Sequence, residues 1–220
     1  MRIVLFGATG MVGQGVMREC LLDPDVAELL VVGRSATGQT HPKLREIIHK
    51  DFFDFSAIAP QLAGVDACFF PLGTTSAGKN EADYERVTYG IAMAAARVLA
   101  AANPDMTFVY VSGRGTDSTE KGRVMWARVK GKTENALLRT FRHAYMFRPG
   151  IIQPVHGARS KTKLYRAFYV AAAPIFLLAR SMTAGKIVTT ETMGRAMLRV
   201  AKEGGASRVV ESAEIVAMGA

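Results

Sequence analysis

Ile3 to Phe6 form an unbroken apolar run, and beyond it Met11, Val12, Val16, Met17, Leu21 and Leu22 recur at spacings of three and four. The first pattern is that of a short buried strand and the second that of an amphipathic helix. The same alternation repeats along the chain. Glu28 to Gly33 reads as a second buried strand, after the break at Asp23-Pro24-Asp25. Polar Ala36 to Lys43 is a loop, Leu44 to Lys50 a third strand closed by Asp51-Phe52, Ser56 to Leu62 a short helix, and Asp66 to Phe70 a fourth strand.

Asn80 to Ala102 follows a helical pattern that stops at Asn103-Pro104. Its half from Ile91 to Ala102 is apolar nearly all round apart from Arg97, so it must be covered on more than one side, and a second subunit would do this. Met106 to Ser112 is a strong fifth strand, Gly113 to Gly122 a polar loop, Arg123 to Phe141 a helix and Ala144 to Phe147 a sixth strand.

Strands and helices alternating in this way specify an α/β fold. It is a doubly wound parallel sheet of the Rossmann kind, layered α/β/α, spanning residues 1–220 as one domain. From Gln153 onward the alternation weakens. There are two helical patterns, Leu164 to Ala179 and Glu191 to Lys202, and a weak strand-like Arg208 to Val210. Residues 153–220 are therefore expected to form a small cap over the sheet's carboxyl edge.

With 49% hydrophobic and 21% charged residues the composition is that of an ordinary globular protein. Cys20 and Cys68 sit far apart in apolar elements, which excludes a disulfide framework and a metal-ligand spacing. Ile3 to Phe6 is too short for a secretory signal, and the uncharged run Ala167 to Ala179 too short to span a bilayer. A reduced, cytoplasmic setting is expected, with peripheral membrane or protein contact left open. The formal charge of +9 is concentrated between Lys121 and Arg166, where twelve Lys or Arg face one acid, Glu134. No stacking-aromatic pattern accompanies these charges, so a phosphorylated small molecule and a solvated basic face explain them better than nucleic acid.

The candidate chemistry begins between the first strand and helix, at Gly7-Ala8-Thr9-Gly10-Met11-Val12-Gly13. The widely shared dinucleotide fingerprint is G-x-G-x-x-G, whereas the spacing here is G-x-x-G-x-x-G. A plain turn could carry the same glycines. The position decides for a nucleotide, because a glycine turn between a buried strand and a helix start brings bare amides against a pyrophosphate. The second strand ends in Gly33-Arg34-Ser35, where a site selective for NAD would place a carboxylate on the ribose 2′-hydroxyl. A guanidinium there pairs with a 2′-phosphate, so NADPH is expected over NADH. Leu72-Gly73-Thr74-Thr75 follows the fourth strand, where small hydroxylated residues could line a ribose.

These pieces, with Asp51-Phe52, Tyr110-Val111-Ser112, Val129-Lys130-Gly131-Lys132-Thr133-Glu134 and Arg148-Pro149-Gly150, resemble the short-chain dehydrogenase/reductase superfamily in its extended, atypical and epimerase/dehydratase-like branches. Within it the chain looks most like the small NADPH-binding proteins of the Tat-interacting tumour-suppressor type and their bacterial relatives. The resemblance covers roughly residues 1 to 155 and implies cofactor contacts at the glycine turn, Arg34, Asp51, Phe52, Leu72 to Thr75, Ser112, Lys130, Pro149, Gly150 and Ile152.

It also implies a Tyr-x-x-x-Lys pair on the helix after strand five, with a serine at that strand's end. Lys130 and Ser112 match, but position 126 is Trp, whose indole N–H gives up no proton near neutral pH. Tyr84, Tyr89 and Tyr110 cannot be placed at the site from spacing, nor can Thr116, Ser118 or Thr119. Three readings follow. One is an NADPH-dependent reductase of a quinone-like or other small carbonyl acceptor; another is a non-catalytic NADPH-binding regulator; the weakest is a sugar-nucleotide epimerase or dehydratase.

Overall fold

The computed structural model describes residues 1–159 and 187–220. Seven parallel strands form the central sheet. They are β1 (Arg2–Phe6), β2 (Glu28–Gly33), β3 (Leu44–Ile48), β4 (Ala67–Phe70), β5 (Thr107–Val111), β6 (His143–Arg148) and β9 (Val209–Glu211), in the spatial order β3-β2-β1-β4-β5-β6-β9. The order reverses between β1 and β4. A two-residue pair, β7 (Ile152–Gln153) with β8 (Val188–Thr189), lies beside the sheet. The α/β reading and the first six strands stand, each boundary shifting by at most two residues.

Alternate residues of one strand enter different cores. Ile3, Leu5, Leu29, Val31, Phe69 and Val109 join the core under α1 (Met11–Leu22), α5 (Thr190–Glu203) and α6 (Ser212–Gly219). Val4, Phe6, Leu30, Val32, Phe70 and Phe108 join the one under a 3₁₀ helix (Ser56–Leu62), α3 (Ile91–Ala102) and α4 (Met125–Thr140). Because both faces are covered, the strands are unbroken apolar runs rather than alternating ones. Each fully buried Leu, Ile or Phe contributes about 1.5–3 kcal/mol relative to exposure.

The helix expected over Asn80 to Ala102 is interrupted. A short α2 (Glu81–Glu85), capped by the Asn80 side chain accepting from the Asp83 amide at 2.9 Å, passes through a π-helical turn at Arg86–Gly90 into α3. Most of α3's apolar surface is buried within the chain itself: Ala92, Ala94, Ala95, Ala96 and Leu99 are covered, while Ile91, Met93 and Val98 keep partial exposure.

The largest departure from expectation is at the carboxyl end. Val209–Glu211, read as part of a cap, instead pairs in parallel with β6 as the seventh strand, and α5 packs on α1 beneath the sheet. The apolar pattern Leu164 to Ala179 lies outside the described residues. A three-residue strand carries too little periodic signal to reveal its sheet, and its partner is distant in sequence. Helix α5 starts at a reciprocal cap in which the Thr189 hydroxyl accepts from the Thr192 amide at 3.0 Å and the Thr192 hydroxyl from the Thr189 amide at 2.7 Å.

Glycines set the α1–α5 contact. A Cβ on Gly15 would lie 2.5 Å from both Cβ and the carbonyl oxygen of Thr190, and one on Gly194 would lie 2.7 Å from Cγ of Glu19. Gly15→Ala should therefore cost about 1–3 kcal/mol through overpacking. Thermal unfolding checks this, and a variant melting with the wild type would show that the helices do not meet there.

Candidate functional site

The turn from β1 into α1 needs each of its glycines for a different reason. Gly7 has φ +84°, and a Cβ on it would lie 2.9 Å from the Leu72 Cα at the end of β4. A Cβ on Gly13 would overlap the Gly7 carbonyl oxygen at 2.0 Å. The Gly10 amide donates to that same oxygen at 2.9 Å, closing the turn. Gly10 offers α1 no capping side chain, and no acid lies in the first helical turn. The helix start thus presents free amides and partial positive charge, beside a cleft that Gly10, Met11 and Val12 line.

That cleft, of about 640 Å³, runs along the carboxyl ends of β1, β4, β5 and β6. Pro71, Gly73, Thr74 and Thr75 wall one side, and Val111, Ser112, Gly113, Arg114 and Lys130 the other, with Pro149, Gly150 and Ile152 closing it. A smaller hollow of about 90 Å³ lies at the end of β2, between Gly7, Ala8, Thr9, Arg34, Phe52 and Leu72. Arg34 is exposed, and its guanidinium carbon stands 5.9 Å from the centroid of the Phe52 ring. Among the described residues no carboxylate forms an ion pair with Arg34.

Three residues of the expected set, Asp51, Trp126 and Gly13, line neither space. Asp51 is exposed, and its carboxylate accepts from the Phe53 amide at 2.9 Å. Trp126 sits in the first turn of α4, half-buried, with its ring 3.7 Å from the position a Cβ would take on Gly115. Gly13 lies under the turn and acts by leaving room. The remaining expected residues come together.

Lys130 enters the cleft from α4, and its Nζ donates to the Ser112 carbonyl oxygen at 3.1 Å. The ammonium stands 5.5 Å from the centroid of the buried Tyr110 ring. Desolvation pushes the Lys130 pKa down to about 8, opposed by the charge of Glu134 one helical turn further on. The Ser112 hydroxyl is already engaged, donating to the Glu134 carboxylate, with the Phe147 carbonyl oxygen at 3.2 Å as a further contact. Glu134 is fully buried and holds Arg148 through both carboxylate oxygens, Nε lying 3.0 Å and 3.2 Å from them. Arg148 in turn donates to the Ser118 hydroxyl at 2.6 Å.

Among the described residues no tyrosine takes the place of the one expected at 126. Tyr110 is buried, which raises its pKa, and Tyr84 is buried beside it. Tyr89 faces Lys132, whose Nζ lies 5.0 Å from its ring centroid. Thr116 is buried and donates to the Gly113 carbonyl oxygen at 2.7 Å, and Thr119 pairs with Asp117. Among the described residues no tyrosine lines the cleft. Arg114 is the cleft residue that the pattern did not single out, although its place two residues after the end of strand five marked it.

The sheet order and the glycine turn define a Rossmann fold of the short-chain dehydrogenase/reductase type. An oxidoreductase of that family from Burkholderia thailandensis superimposes with a TM-score of 0.68 at 15% identity, covering 98% of this chain and 92% of that one. The Bordetella bronchiseptica enzyme WbmF, solved in complex with NAD+, gives 0.68 at 14% identity over 98% of this chain and 76% of that one. In sequence, protein FMP52-1, mitochondrial, of Scheffersomyces stipitis is 31% identical over 157 residues, which are 69% of this chain and 67% of that protein. The chain belongs to the FMP52 family. Protein fmp52-1, mitochondrial, of Aspergillus terreus is 29% identical over 168 residues, 73% of this chain and 69% of that protein. No family model matches the sequence.

These relatives are FMP52 proteins, and their names do not show the likeness to the Tat-interacting type. Each is named mitochondrial, which overturns the cytoplasmic setting inferred from free cysteines. Reduced thiols occur in more than one compartment, so Cys20 and Cys68 could not have distinguished them. Among the described residues no helix is long and apolar enough to cross a membrane.

The Glu134–Arg148 pair yields a stability test. Glu134→Ala leaves a guanidinium only 12% exposed without its partner and should cost about 3–5 kcal/mol. Adding Arg148→Met should recover part of that loss in denaturant melts, and a double variant no more stable than the single one would contradict the coupling.

Proposed function

We propose that this FMP52-family chain binds NADPH and reduces a small acceptor of the quinone or carbonyl class. The observation that carries the reading is the juxtaposition along one sheet edge of the glycine turn, the free cation Arg34 and the enclosed cation Lys130. The residues fit the dinucleotide: a Cβ on Gly13 would fill the turn, and the first turn of α1 holds no acid that would repel a pyrophosphate. The nucleotide-bound fold neighbours support the same reading by analogy.

In this site Met11, Val12 and Gly13 would hold the pyrophosphate with backbone amides, while the Gly10 amide closes the turn on the Gly7 carbonyl oxygen. Arg34 would pair with the 2′-phosphate while Phe52 and Leu72 cover the adenosine end. Thr74, Thr75 and Lys130 would hold the nicotinamide ribose, and Pro149, Gly150 and Ile152 would wall the ring. When bound, the reduced nicotinamide supplies a hydride. Lys130 then takes the part of the absent tyrosine. With a pKa near 8 its ammonium can release a proton to the acceptor's oxygen and recover one from water. Ser112 acts through position, since its carbonyl oxygen fixes Nζ and its own proton is committed to Glu134. A quinone-like acceptor suits this arrangement, because charge delocalised over the ring reduces the demand on the acid.

The second reading, an NADPH-binding regulator without turnover, draws on the tryptophan at 126 and the absence of any tyrosine from the described cleft walls. Binding without NADPH oxidation across a quinone panel would favour it.

Calorimetry with NADPH and NADH tests the cofactor. Wild type should bind NADPH at least about tenfold tighter, and Arg34→Glu should reverse the order. No heat with either nucleotide sinks the reading.

The pH dependence tests Lys130. Turnover should fall as pH rises through about 8, where the ammonium is lost. Stability should move the other way. The folded pKa lies below the unfolded one, so burying the charged amine costs about 1–3 kcal/mol below pH 8, and the cost fades between there and the ordinary lysine range. Lys130→Met should therefore be more stable than wild type at pH 7 by about that amount and approach it at pH 10. A difference between the two that does not change with pH would refute the assignment.

A further inference from the structure

Among the described residues, Arg114 is the charged residue at the cleft wall that neither the dinucleotide nor the proton transfer uses. Its backbone is fixed from both sides. Its amide donates to the Pro149 carbonyl oxygen at 2.8 Å, and the preceding Gly113 carbonyl accepts from the Thr116 hydroxyl at 2.7 Å. Its Cδ lies 3.8 Å from where a Cβ on Gly150 would sit, so the aliphatic stem packs beside the Gly150 backbone in the cleft lining. Three cations on the neighbouring elements are paired with acids: Arg128 with Glu81, Lys132 with Glu85 and Arg148 with Glu134. Among the described residues Arg114 has no carboxylate within ion-pair distance. Among the described residues no Asp or Glu lines the cleft.

We propose that Arg114 forms an anion subsite at the acceptor end of the cleft, so that the preferred substrate carries a carboxylate beside its reducible carbonyl group. The placement of the acceptor rests on the dinucleotide reading above, while the subsite itself does not require the nucleotide. The phosphates have their own partners at the α1 start and at Arg34, on the far side of the cleft from β5. That leaves, among the described residues, Arg114 and Lys130 at the end formed by the β5–α4 and β6–β7 connections. Lys130 faces the carbonyl oxygen that receives a proton. A guanidinium on a pinned backbone offers paired donors matching the two oxygens of a carboxylate, and a bound acceptor would shield that pair from water. A neutral acceptor would leave Arg114 unused.

The test is calorimetric titration with 4-carboxybenzaldehyde and 4-methylbenzaldehyde, on protein saturated with NADP+ and on protein free of it. Wild type should bind the carboxylate at least about tenfold tighter than the methyl compound. Arg114→Met should abolish that preference, Arg114→Lys should keep part of it, and both should bind NADP+ as wild type does. Arg114 is exposed and its fixing contacts are made by backbone, so the variants keep the fold. Equal affinity for the two aldehydes in wild type overturns the proposal, as does failure of the carboxylate to bind either form. So does an Arg114→Met variant that keeps the preference or loses NADP+ instead. Should NADP+ not bind while an Arg114-dependent preference persists on free protein, the cofactor reading falls and the anion subsite stands.

Discussion

The contact on which the rest of this structure depends is the approach of helix α1 to the strand that feeds it. The Gly7 carbonyl oxygen occupies the place where a side chain at position 13 would begin. Any residue but glycine there would push the helix start away from the sheet and separate the free amides from the cleft. Gly7, at φ +84°, turns the chain against Leu72 and so ties the end of β1 to the end of β4. That is also where the strand order reverses, and open parallel sheets leave a crevice at such a point. One steric fact therefore links local backbone, sheet topology and the candidate site.

A second constraint is electrostatic and lies deeper. Glu134 and Arg148 are a closely bonded pair at the base of the cleft, one fully buried and the other nearly so. Their mutual neutralisation lets Lys130 remain a separate, partly desolvated cation instead of the partner of Glu134. The carboxylate still raises the Lys130 pKa, but less than burial lowers it, and the net result is an amine that titrates near neutrality. Ser112 joins the two parts, giving its hydroxyl to the pair and its carbonyl to the lysine. With Trp126 at the position where the resemblance implies a tyrosine, Lys130 is a group at the cleft wall able to hold a proton.

FMP52-family membership and the dehydrogenase-type fold bear on different parts of the molecule. The fold accounts for the sheet, its two cores and the crevice. The chemistry lives in side chains, and at identities of 14–15% the solved neighbours carry only the former. Among the described residues the crevice has an exposed cation at each end, a partly desolvated one within and no acid in its lining.

Much of this was legible in the amino-acid sequence. Apolar runs such as Ile3–Phe6 and Leu29–Val32 identify strands buried on both faces, because their periodicity comes from the backbone itself. Glycines between a strand and a helix identify a turn that must approach something closely, since few other needs exclude a Cβ three times in seven residues. Arg34 was found by its place at the end of the second strand, and Lys130 as the lysine of the Tyr-x-x-x-Lys pair that the superfamily resemblance implies. What only the tertiary structure decided depends on contacts between segments distant along the chain. Val209–Glu211 gained its place from a partner strand some sixty residues away. The Ser112 proton was committed by a glutamate on the next helix, Trp126 was turned toward Gly115 and away from the cleft walls, and Arg114 was left as a free cation because its neighbours had taken the available acids. Spacing along a chain records which face a residue is on, but burial, pairing and pKa are properties of what packs against that face.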